Sequence, residues 1–370
     1  MKVPMNDLRL QHAALQPAMD AALAQVMANC SFILGPQVAA FEQAFAAYCG
    51  VAHCVGVSNG TDALKLVLRA AGVGQGDEVI TTPHTFAATI EAICELGARP
   101  VLVDIEARHF TIDTAQVAAR ITARTRALLP VHIYGHPADM DPLQALASQH
   151  NLALIEDAAQ AQGARYRGRL AGAMGLAGCF SFYPGKNLGA YGDAGGITTD
   201  DAALAQRLRL LRNHGQDPAQ KFFYQEPGYN HRMDGFQGAV LGVKLPHLDQ
   251  WNQRRRQLAQ RYAQALEGIA ELTLPAEAEG AMHVYHLYVV RAQDRDRLAA
   301  ALKQAGIDTA VQYPHPLHLT AAYSSLGYQP GSLPQCELAC AQILSLPIFP
   351  ELEDGQVDYV AEQVRLFYRR

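Results

Sequence analysis

The stretch that decides the fold is residues 180–190, FSFYPGKNLGA, in which Lys186 lies in a turn directly after an apolar run. A second apolar run, residues 152–156, is followed by Asp157. Each feature is common by itself, because many proteins have an aspartate at a strand end or a lysine beside a glycine. The pair therefore indicates a function only in combination with other motifs of the chain.

Short apolar runs alternate with helical patterns through about the first two thirds of the chain, which is typical of βαβ units around a mostly parallel sheet. The predicted strands are residues 78–81, 101–104, 127–133, 152–156 and 178–182, separated by glycine-containing turns. Pro246 and a long helix from Trp251 mark the exit from this part. We predict an α/β fold with a large domain, residues 1–245, and a smaller C-terminal α/β domain, residues 246–370.

Composition narrows the class of protein. A chain of 370 residues, 49% of them hydrophobic, can bury a large core, and a net charge of −5 weighs against nucleic acid or an anionic membrane as a partner. Seven dispersed cysteines and the lack of a signal-peptide core indicate a reduced, cytoplasmic protein. We expect no metal site, since the close pair His283 and His286 lies in a strand-like run.

Three groups suit a phosphate and a flat ring. Residues 58–64, SNGTDAL, place Gly60 and Thr61 in a turn before a helix, where exposed N–H groups and the helix dipole favour a phosphate. An ordinary helix cap would use the same residues. Ser181 can add a hydroxyl donor, and Phe86, after a strand, can stack on a ring, although core packing is the commoner role of such an aromatic.

These groups match one cofactor, pyridoxal 5′-phosphate. Lys186 can form a Schiff base with its aldehyde, and the Asp157 carboxylate can keep its pyridine nitrogen protonated, so that the ring accepts electrons when a C–H bond breaks. Gln160 can donate to the phenolic oxygen, or can simply be a polar helix start. The sequence predicts Lys186 and Asp157 as the catalytic pair. It predicts the cofactor-binding residues Gly60, Thr61, Phe86, Asp157, Gln160, Ser181 and Lys186.

In this order and spacing, the chain resembles the fold-type I pyridoxal-phosphate enzymes and, more narrowly, the DegT–StrS family of nucleotide-sugar aminotransferases. The resemblance covers nearly the whole length and is carried by residues 32–36, 60–64, 156–160, 181–192 and 228–234. It implies that Asn230 binds the cofactor phosphate of a partner subunit and that Arg232 faces the partner's substrate, and hence a homodimer with shared active sites. A polar loop before a helix near Asp234 is the alternative for both residues.

The resemblance further implies amino transfer from L-glutamate to C3 or C4 of a keto sugar on a nucleotide diphosphate. The residues around Lys186 and the stretch 312–318, QYPHPLH, resemble the C3-acting branch and suggest Tyr313, His315 and His318 as substrate contacts. The C3-acting branch has histidine where this chain has Gln312. The residue that contacts the sugar or nucleotide at this position is therefore left open. Both dTDP-3-keto-6-deoxyhexoses and UDP-linked 2-acetamido-3-keto sugars are candidates, for amino sugars of lipopolysaccharide, another glycan or a natural product.

Other functions remain as alternatives. A C4-acting enzyme or a keto-cyclitol aminotransferase would use the same cofactor residues. A sugar 3-dehydratase on this scaffold has histidine in place of the Schiff-base lysine, so Lys186 argues against it. A regulator without turnover has no evident need for an intact set of catalytic groups, which argues against that reading as well.

Overall fold

The structure is a computed structural model that describes residues 1–369. Twelve α-helices occur in this part: α1 Leu8–Ala28, α2 Pro36–Cys49, α3 Gly60–Ala70, α4 Ala88–Cys94, α5 Thr114–Val117, α6 Met140–His150, α7 Ala202–Leu211, α8 Gly235–Lys244, α9 Leu248–Leu266, α10 Arg295–Gln304, α11 Pro334–Gln342 and α12 Asp354–Tyr368. None of these helices in residues 1–369 has the length and apolar character needed to cross a membrane.

The strands of residues 1–369 are β1 His53–Val57, β2 Glu78–Thr81, β3 Arg99–Leu102, β4 Thr125–Leu128, β5 Ala153–Asp157, β6 Arg165–Tyr166, β7 Arg169–Leu170, β8 Ala177–Ser181, β9 Gly195–Thr199, β10 Leu272–Thr273, β11 Ala281–Met282, β12 Tyr288–Ala292 and β13 Ile343–Leu346. Short 3₁₀ turns lie at Ala118–Arg120, Ile133–Gly135, Leu245–His247, Leu317–Leu319 and Ala321–Leu326.

The central sheet has seven strands in the order β1-β9-β8-β5-β4-β2-β3. The strands from β8 to β3 pair in parallel, and β9 runs antiparallel to both of its neighbours. All four residues of β2 are buried, as expected where helices cover both faces of a parallel sheet. The predicted α/β fold with a mostly parallel sheet is therefore confirmed.

One helix shows how the sequence specifies these elements. In α2, Val38, Phe41 and Phe45 recur at three- and four-residue spacing and are all buried, so they form the apolar stripe that packs on the sheet. Pro36 starts the helix, where its missing N–H has no intrahelical acceptor to lose. Gly50 ends it in the left-handed region, with φ of 72°.

The C-terminal part has its own sheet, β10-β12-β13, and its own buried core, in which Tyr262 stacks on Tyr288 with ring centroids 4.8 Å apart. The predicted boundary at residue 245 falls in the 3₁₀ turn between α8 and α9. The first residues cross that boundary, because Val3 N donates to the Gly306 carbonyl at 2.9 Å and Val3 is buried in the C-terminal core. We propose that the two units divide at this turn, with the segment around Val3 docked on the smaller unit.

Candidate active site

Parallel strands bring the predicted site residues to one edge of the sheet. Strand β5 ends at Asp157 and β8 ends at Ser181, and both strands run in the same direction. Gly195 of β9 pairs with Val57 on one side and with Ser181 on the other, so the turn after β1 lies level with Ser181. The carboxyl edge of an α/β sheet is where such folds bind ligands.

The phosphate turn and Ser181 are in direct contact. A Cβ on Gly60 would lie 2.8 Å from the Ser181 Cβ, so only glycine allows the start of α3 to approach β8 this closely. The Asn59 side chain caps α3 by accepting from Asp62 N at 2.8 Å. Among residues 1–369, no acceptor is bonded to the backbone N–H of Gly60 or Thr61, so both donors are available to an anion.

Lys186 and Asp157 interact electrostatically. Removal of the amine from water lowers the pKa of Lys186 to about 8, against the attraction of the Asp157 carboxylate, which raises it. Burial raises the pKa of Asp157, while hydrogen bonds from Thr89 Oγ1 at 2.7 Å and Ala159 N at 3.2 Å oppose that rise. A buried carboxylate with so few donors is suited to a cationic partner such as a protonated ring nitrogen.

Phe86, Gln160 and Tyr313 surround the same space. Phe86 is 55% exposed although Thr81, Thr82, Pro83, His84 and Thr85 before it are all buried. Its ring centroid lies 5.8 Å from that of Tyr313. Gln160 accepts from Tyr134 N at 2.6 Å, which fixes its amide so that Nε2 points to the Tyr313 hydroxyl at 3.1 Å. An exposed ring and an oriented amide donor are compatible with the cofactor contacts that the sequence predicts for Phe86 and Gln160.

Two supporting pairs were not predicted. Glu156, just before Asp157, is fully buried and accepts from His132 Nε2 at 2.9 Å and from Gly172 N at 2.7 Å, which fixes the end of β5. Lys244, on α8, donates to the Gly189 carbonyl at 2.8 Å and thereby anchors the loop that follows Lys186. The sequence carried no signal for either contact, since the partners are far apart in the chain.

The loop of residues 228–234 runs beside the phosphate turn of its own chain. Ser58 N donates to the His231 carbonyl at 3.1 Å, and His231 Nδ1 lies 3.1 Å from the Asp62 carboxylate. Asn230 is exposed, and no group among residues 1–369 bonds to its side chain. Arg232 is half-buried and donates from Nη1 to Asn213 Oδ1 at 3.1 Å.

The two predicted histidines lie in different surroundings from Tyr313. His315 is exposed on the surface of its loop. His318 is 1% exposed, with Nε2 at 3.2 Å from Glu337 Oε1 and its ring against Tyr328. The structure therefore does not bring His318 to the space between Phe86, Gln160 and Tyr313, because its ring is enclosed by α11 and the loop around Tyr328. A role in packing accounts for it.

The residues at this edge fit pyridoxal phosphate. A helix start with two free N–H donors faces Ser181, whose hydroxyl accepts from Tyr183 N at 3.3 Å and keeps its own proton to donate. The exposed Phe86 ring, the buried Asp157 carboxylate and the Lys186 amine of lowered pKa would supply the other three contacts that this cofactor requires.

Comparison with known proteins gives the same result. Residues 14–365 match the DegT/DnrJ/EryC1/StrS aminotransferase family. The chain belongs to this family. It is therefore a pyridoxal-phosphate-dependent aminotransferase, as its sequence predicted, with the fold of those enzymes.

Three relatives and one solved structure illustrate the similarity. The chain is 48% identical to the dTDP-3-amino-3,4,6-trideoxy-alpha-D-glucose transaminase of Streptomyces venezuelae, over 100% of this chain and 97% of the relative. It is 43% identical to the UDP-N-acetyl-3-dehydro-alpha-D-glucosamine 3-aminotransferase of Acidithiobacillus ferrooxidans, over 98% and 97%. It is 49% identical to a Geobacillus stearothermophilus protein named pleiotropic regulatory protein, over 100% and 99%. The crystal structure of S. venezuelae DesV with a ketimine intermediate superposes with a TM-score of 0.97 at 48% identity, covering 100% of this chain and 99% of that one.

Proposed function

We propose that this aminotransferase moves the amino group of L-glutamate to the C3 keto group of a nucleotide-linked sugar, releasing 2-oxoglutarate. The observation that carries the chemistry is the buried Asp157 carboxylate at the strand end beside an amine, Lys186, whose pKa burial lowers to about 8. The C3 position and the nucleotide carrier are supported by the S. venezuelae and A. ferrooxidans relatives, whose names specify 3-amino products on dTDP and UDP sugars.

Each residue has a defined task in this reaction. Pyridoxal phosphate, when bound, supplies a ring that accepts the electrons released at the amino-donor Cα. The Gly60 and Thr61 N–H groups and the Ser181 hydroxyl bind its phosphate, Phe86 covers its ring, and Asp157 supplies the negative charge beside the ring nitrogen. Lys186 Nζ holds the cofactor and then, as a neutral amine, takes the proton from Cα. A pKa of about 8 suits this role better than the ordinary lysine value, because the amine must accept and release a proton in one cycle.

The sugar is best identified by its product. The purified enzyme, with glutamate and a panel of dTDP- and UDP-linked 3-keto and 4-keto sugars, should form 2-oxoglutarate with 3-keto substrates, and NMR of the product should show nitrogen on C3. Nitrogen on C4, or turnover of a keto-cyclitol in preference to any nucleotide sugar, would replace the proposal by those alternatives. Lys186→Ala is the matched inactive control. Absence of turnover with every acceptor would favour a regulatory protein, the function that the G. stearothermophilus relative is named for.

The cofactor lysine can be identified directly. Borohydride reduction of the enzyme followed by peptide mapping should place the pyridoxyl group on Lys186, the lysine whose pKa burial lowers beside Asp157. A label on Lys244, the other lysine whose pKa is lowered by burial, would contradict the assignment.

We also propose that the active site is shared by two subunits of a homodimer. The Asn230 side chain is free of partners within residues 1–369, and Arg232 Nε is buried there with no acceptor. Phe222, Phe223 and Tyr224, close before this loop, are 71%, 51% and 53% exposed, an aromatic surface that a second subunit would cover. In this arrangement Asn230 binds the partner's cofactor phosphate and Arg232 faces the partner's substrate.

Subunit exchange tests this arrangement. Lys186→Ala and Arg232→Ala proteins, each impaired alone, are mixed and allowed to exchange. In a shared site, each heterodimer has one site with an intact lysine from one chain and an intact arginine from the other, so the mixture should recover about a quarter of wild-type activity. If both residues serve a site within one chain, no good site forms. No recovery, with exchange shown by native mass spectrometry, would refute the shared site.

Two further expectations concern the cellular compartment and the use of the amino-sugar product. The seven cysteines of the described chain form no disulfide within it, which supports a reducing compartment, and we propose the cytoplasm. The amino-sugar product is proposed to serve lipopolysaccharide, another glycan or a natural product.

A further inference from the structure

A second cluster of reactive side chains lies where the large sheet meets the C-terminal part. His84 follows β2, and Cys336 and Cys340 lie one turn apart on α11. One ligand atom from each residue, a ring nitrogen and two sulfurs, lies within 4.8 Å of the others, and His84 Nδ1 is 3.8 Å from Cys340 Sγ. The three residues are 1%, 0% and 2% exposed. None of them takes part in the proposed amino transfer.

The hydrogen bonds around His84 determine which nitrogen carries its proton. Tyr134 donates its single hydroxyl proton to the Gln312 carbonyl, which can only accept. The 2.6 Å contact between Tyr134 Oη and His84 Nε2 must then be donated by the ring nitrogen. In the neutral ring, the lone pair is therefore on Nδ1, the atom that faces Cys340. Metal-binding histidines are commonly held in this way, with one nitrogen donating to a neighbour and the other free for the ion.

We propose that His84, Cys336 and Cys340 form a buried binding site for one divalent zinc-class ion, Zn²⁺ or its analogues Cd²⁺ and Co²⁺. Thiolate sulfur and imidazole nitrogen are the donors that zinc prefers. Two thiolates balance the charge of a divalent ion, so the complete site buries no net charge, whereas a monovalent ion would leave one negative charge in the core.

The distances fit such an ion. Zinc bonds of about 2.3 Å to sulfur and about 2.0 Å to nitrogen place tetrahedral ligand atoms about 3.5–3.8 Å apart. The separations of 3.8 to 4.8 Å therefore need movements of about 1 Å or less, within reach of rotation about χ1 on one helical turn. With three protein ligands, the fourth position would be taken by a water molecule.

Coordination needs both sulfurs as thiolates, so binding of the ion releases thiol protons to solvent.

An ion at this place would join two distant parts of the chain. Asp104, just after β3, already accepts from Gln335 N at 2.8 Å and Cys336 N at 2.9 Å, which holds the start of α11 against the large sheet. Coordination by His84 and Cys340 would add a second attachment one turn further along the same helix. The expected consequence is stabilisation of the junction, with no direct part in catalysis.

Metal content tests the proposal on the whole enzyme. Protein expressed with added zinc and dialysed against metal-free buffer should contain about one zinc per chain by mass spectrometry. Cys340→Ser and His84→Gln should contain far less, and Cys94→Ser, which changes an exposed thiol elsewhere, should match the wild type. Zinc in the wild type at the level of Cys340→Ser would overturn the site.

A second measurement uses the wild type alone, so it does not depend on how well a variant folds. Titration with Co²⁺ should produce thiolate-to-metal charge-transfer absorption that saturates at one equivalent, and added zinc should abolish it. A chelator should then lower the thermal midpoint of the zinc-loaded enzyme. Absence of the charge-transfer band would also overturn the site. All of these readouts are independent of amino transfer, so they stand apart from the proposed function.

Discussion

The contact between Gly60 and Ser181 predicts a measurable effect of one added methyl group. In Gly60→Ala the new Cβ would lie 2.8 Å from the Ser181 Cβ and 3.2 Å from its Cα, whereas ordinary contacts begin at 3.4 Å. The start of α3 and the end of β8 must then separate by about 0.6 Å, because the nearest atoms are the short side chain and backbone of a strand residue. The N–H donors of Gly60 and Thr61 move with the helix.

The size of the effect follows from two terms. Overpacking of this kind costs about 1–3 kcal/mol of stability, and alanine in place of a helical glycine returns about 0.5–1 kcal/mol at most. A misplaced donor costs one charge-assisted hydrogen bond to phosphate, about 1.5–3 kcal/mol, or roughly a 10- to 150-fold loss of affinity. We therefore expect a modest fall in thermal stability and a larger fall in affinity for pyridoxal phosphate.

The assay is titration of the apo protein with pyridoxal phosphate, followed by the absorbance of the bound cofactor. Gly355→Ala is the matched control, since Gly355 lies in the first turn of α12 and a Cβ there meets nothing within 4 Å. The control should keep wild-type affinity. If Gly60→Ala also binds the cofactor within about threefold of wild type, the close contact does not position the phosphate donors and the reasoning fails.

Three further predictions concern the lysine, the carboxylate and the aromatic ring. The rate at which apo protein captures pyridoxal phosphate should rise with pH to a plateau with a midpoint near 8, since only the neutral Lys186 amine attacks an aldehyde; a midpoint near the ordinary lysine value of 10.5 would contradict the burial of the amine. Asp157→Asn should move that midpoint lower, because it removes the charge that raises the pKa, and should slow turnover by orders of magnitude. Phe86→Ala should weaken cofactor binding without lowering the thermal midpoint of the apo protein, because the ring is 55% exposed and supports no core; an equal loss of apo stability would show that it packs instead.

Local signals were enough to predict the fold and to identify candidate cofactor residues at one edge of its sheet. Strand ends and turns are specified by short stretches of sequence. Parallel pairing of the strands then places Asp157 and Ser181 at the same edge of the sheet. The predicted strand at residues 127–133 was wrong at its end, because β4 stops at Leu128 and Pro130 follows, which has no N–H for a ladder. The strand-like run around His283 and His286 was also placed too early, since β12 begins at Tyr288.

Contacts between distant stretches could not be predicted in this way. Gln160 meets Tyr313 across 153 positions, and the His318 ring faces Glu337 on α11, a half-buried acceptor. The pairing of Cys336 and Cys340 with His84 has no spacing that resembles a CxxC metal motif, because the third member comes from a loop 252 residues earlier. Such groups come together only when the two parts of the chain pack against each other. The periodicity of a single segment therefore cannot predict them.

The electrostatics around Lys186 and Asp157 lead to a last prediction, on how the cofactor affects the stability of the fold. Burial lowers the pKa of Lys186 and raises that of Asp157, so the apo site disfavours a charge on either group. Because the folded-state pKa of Asp157 lies above its unfolded value, this carboxylate lowers apo stability as the pH rises past its ordinary pKa of 3.8, and the cost is largest where it is fully ionised.

A bound ring cation offsets that cost, so the thermal midpoint of the holo enzyme should exceed that of the apo enzyme by more than simple mass action at the phosphate would give. Asp157→Asn removes the buried charge and should therefore raise apo stability while shrinking the holo–apo difference. An unchanged difference in that variant, measured by calorimetry at neutral pH with saturating pyridoxal phosphate, would show that the carboxylate is satisfied by its own hydrogen bonds and does not need the ring.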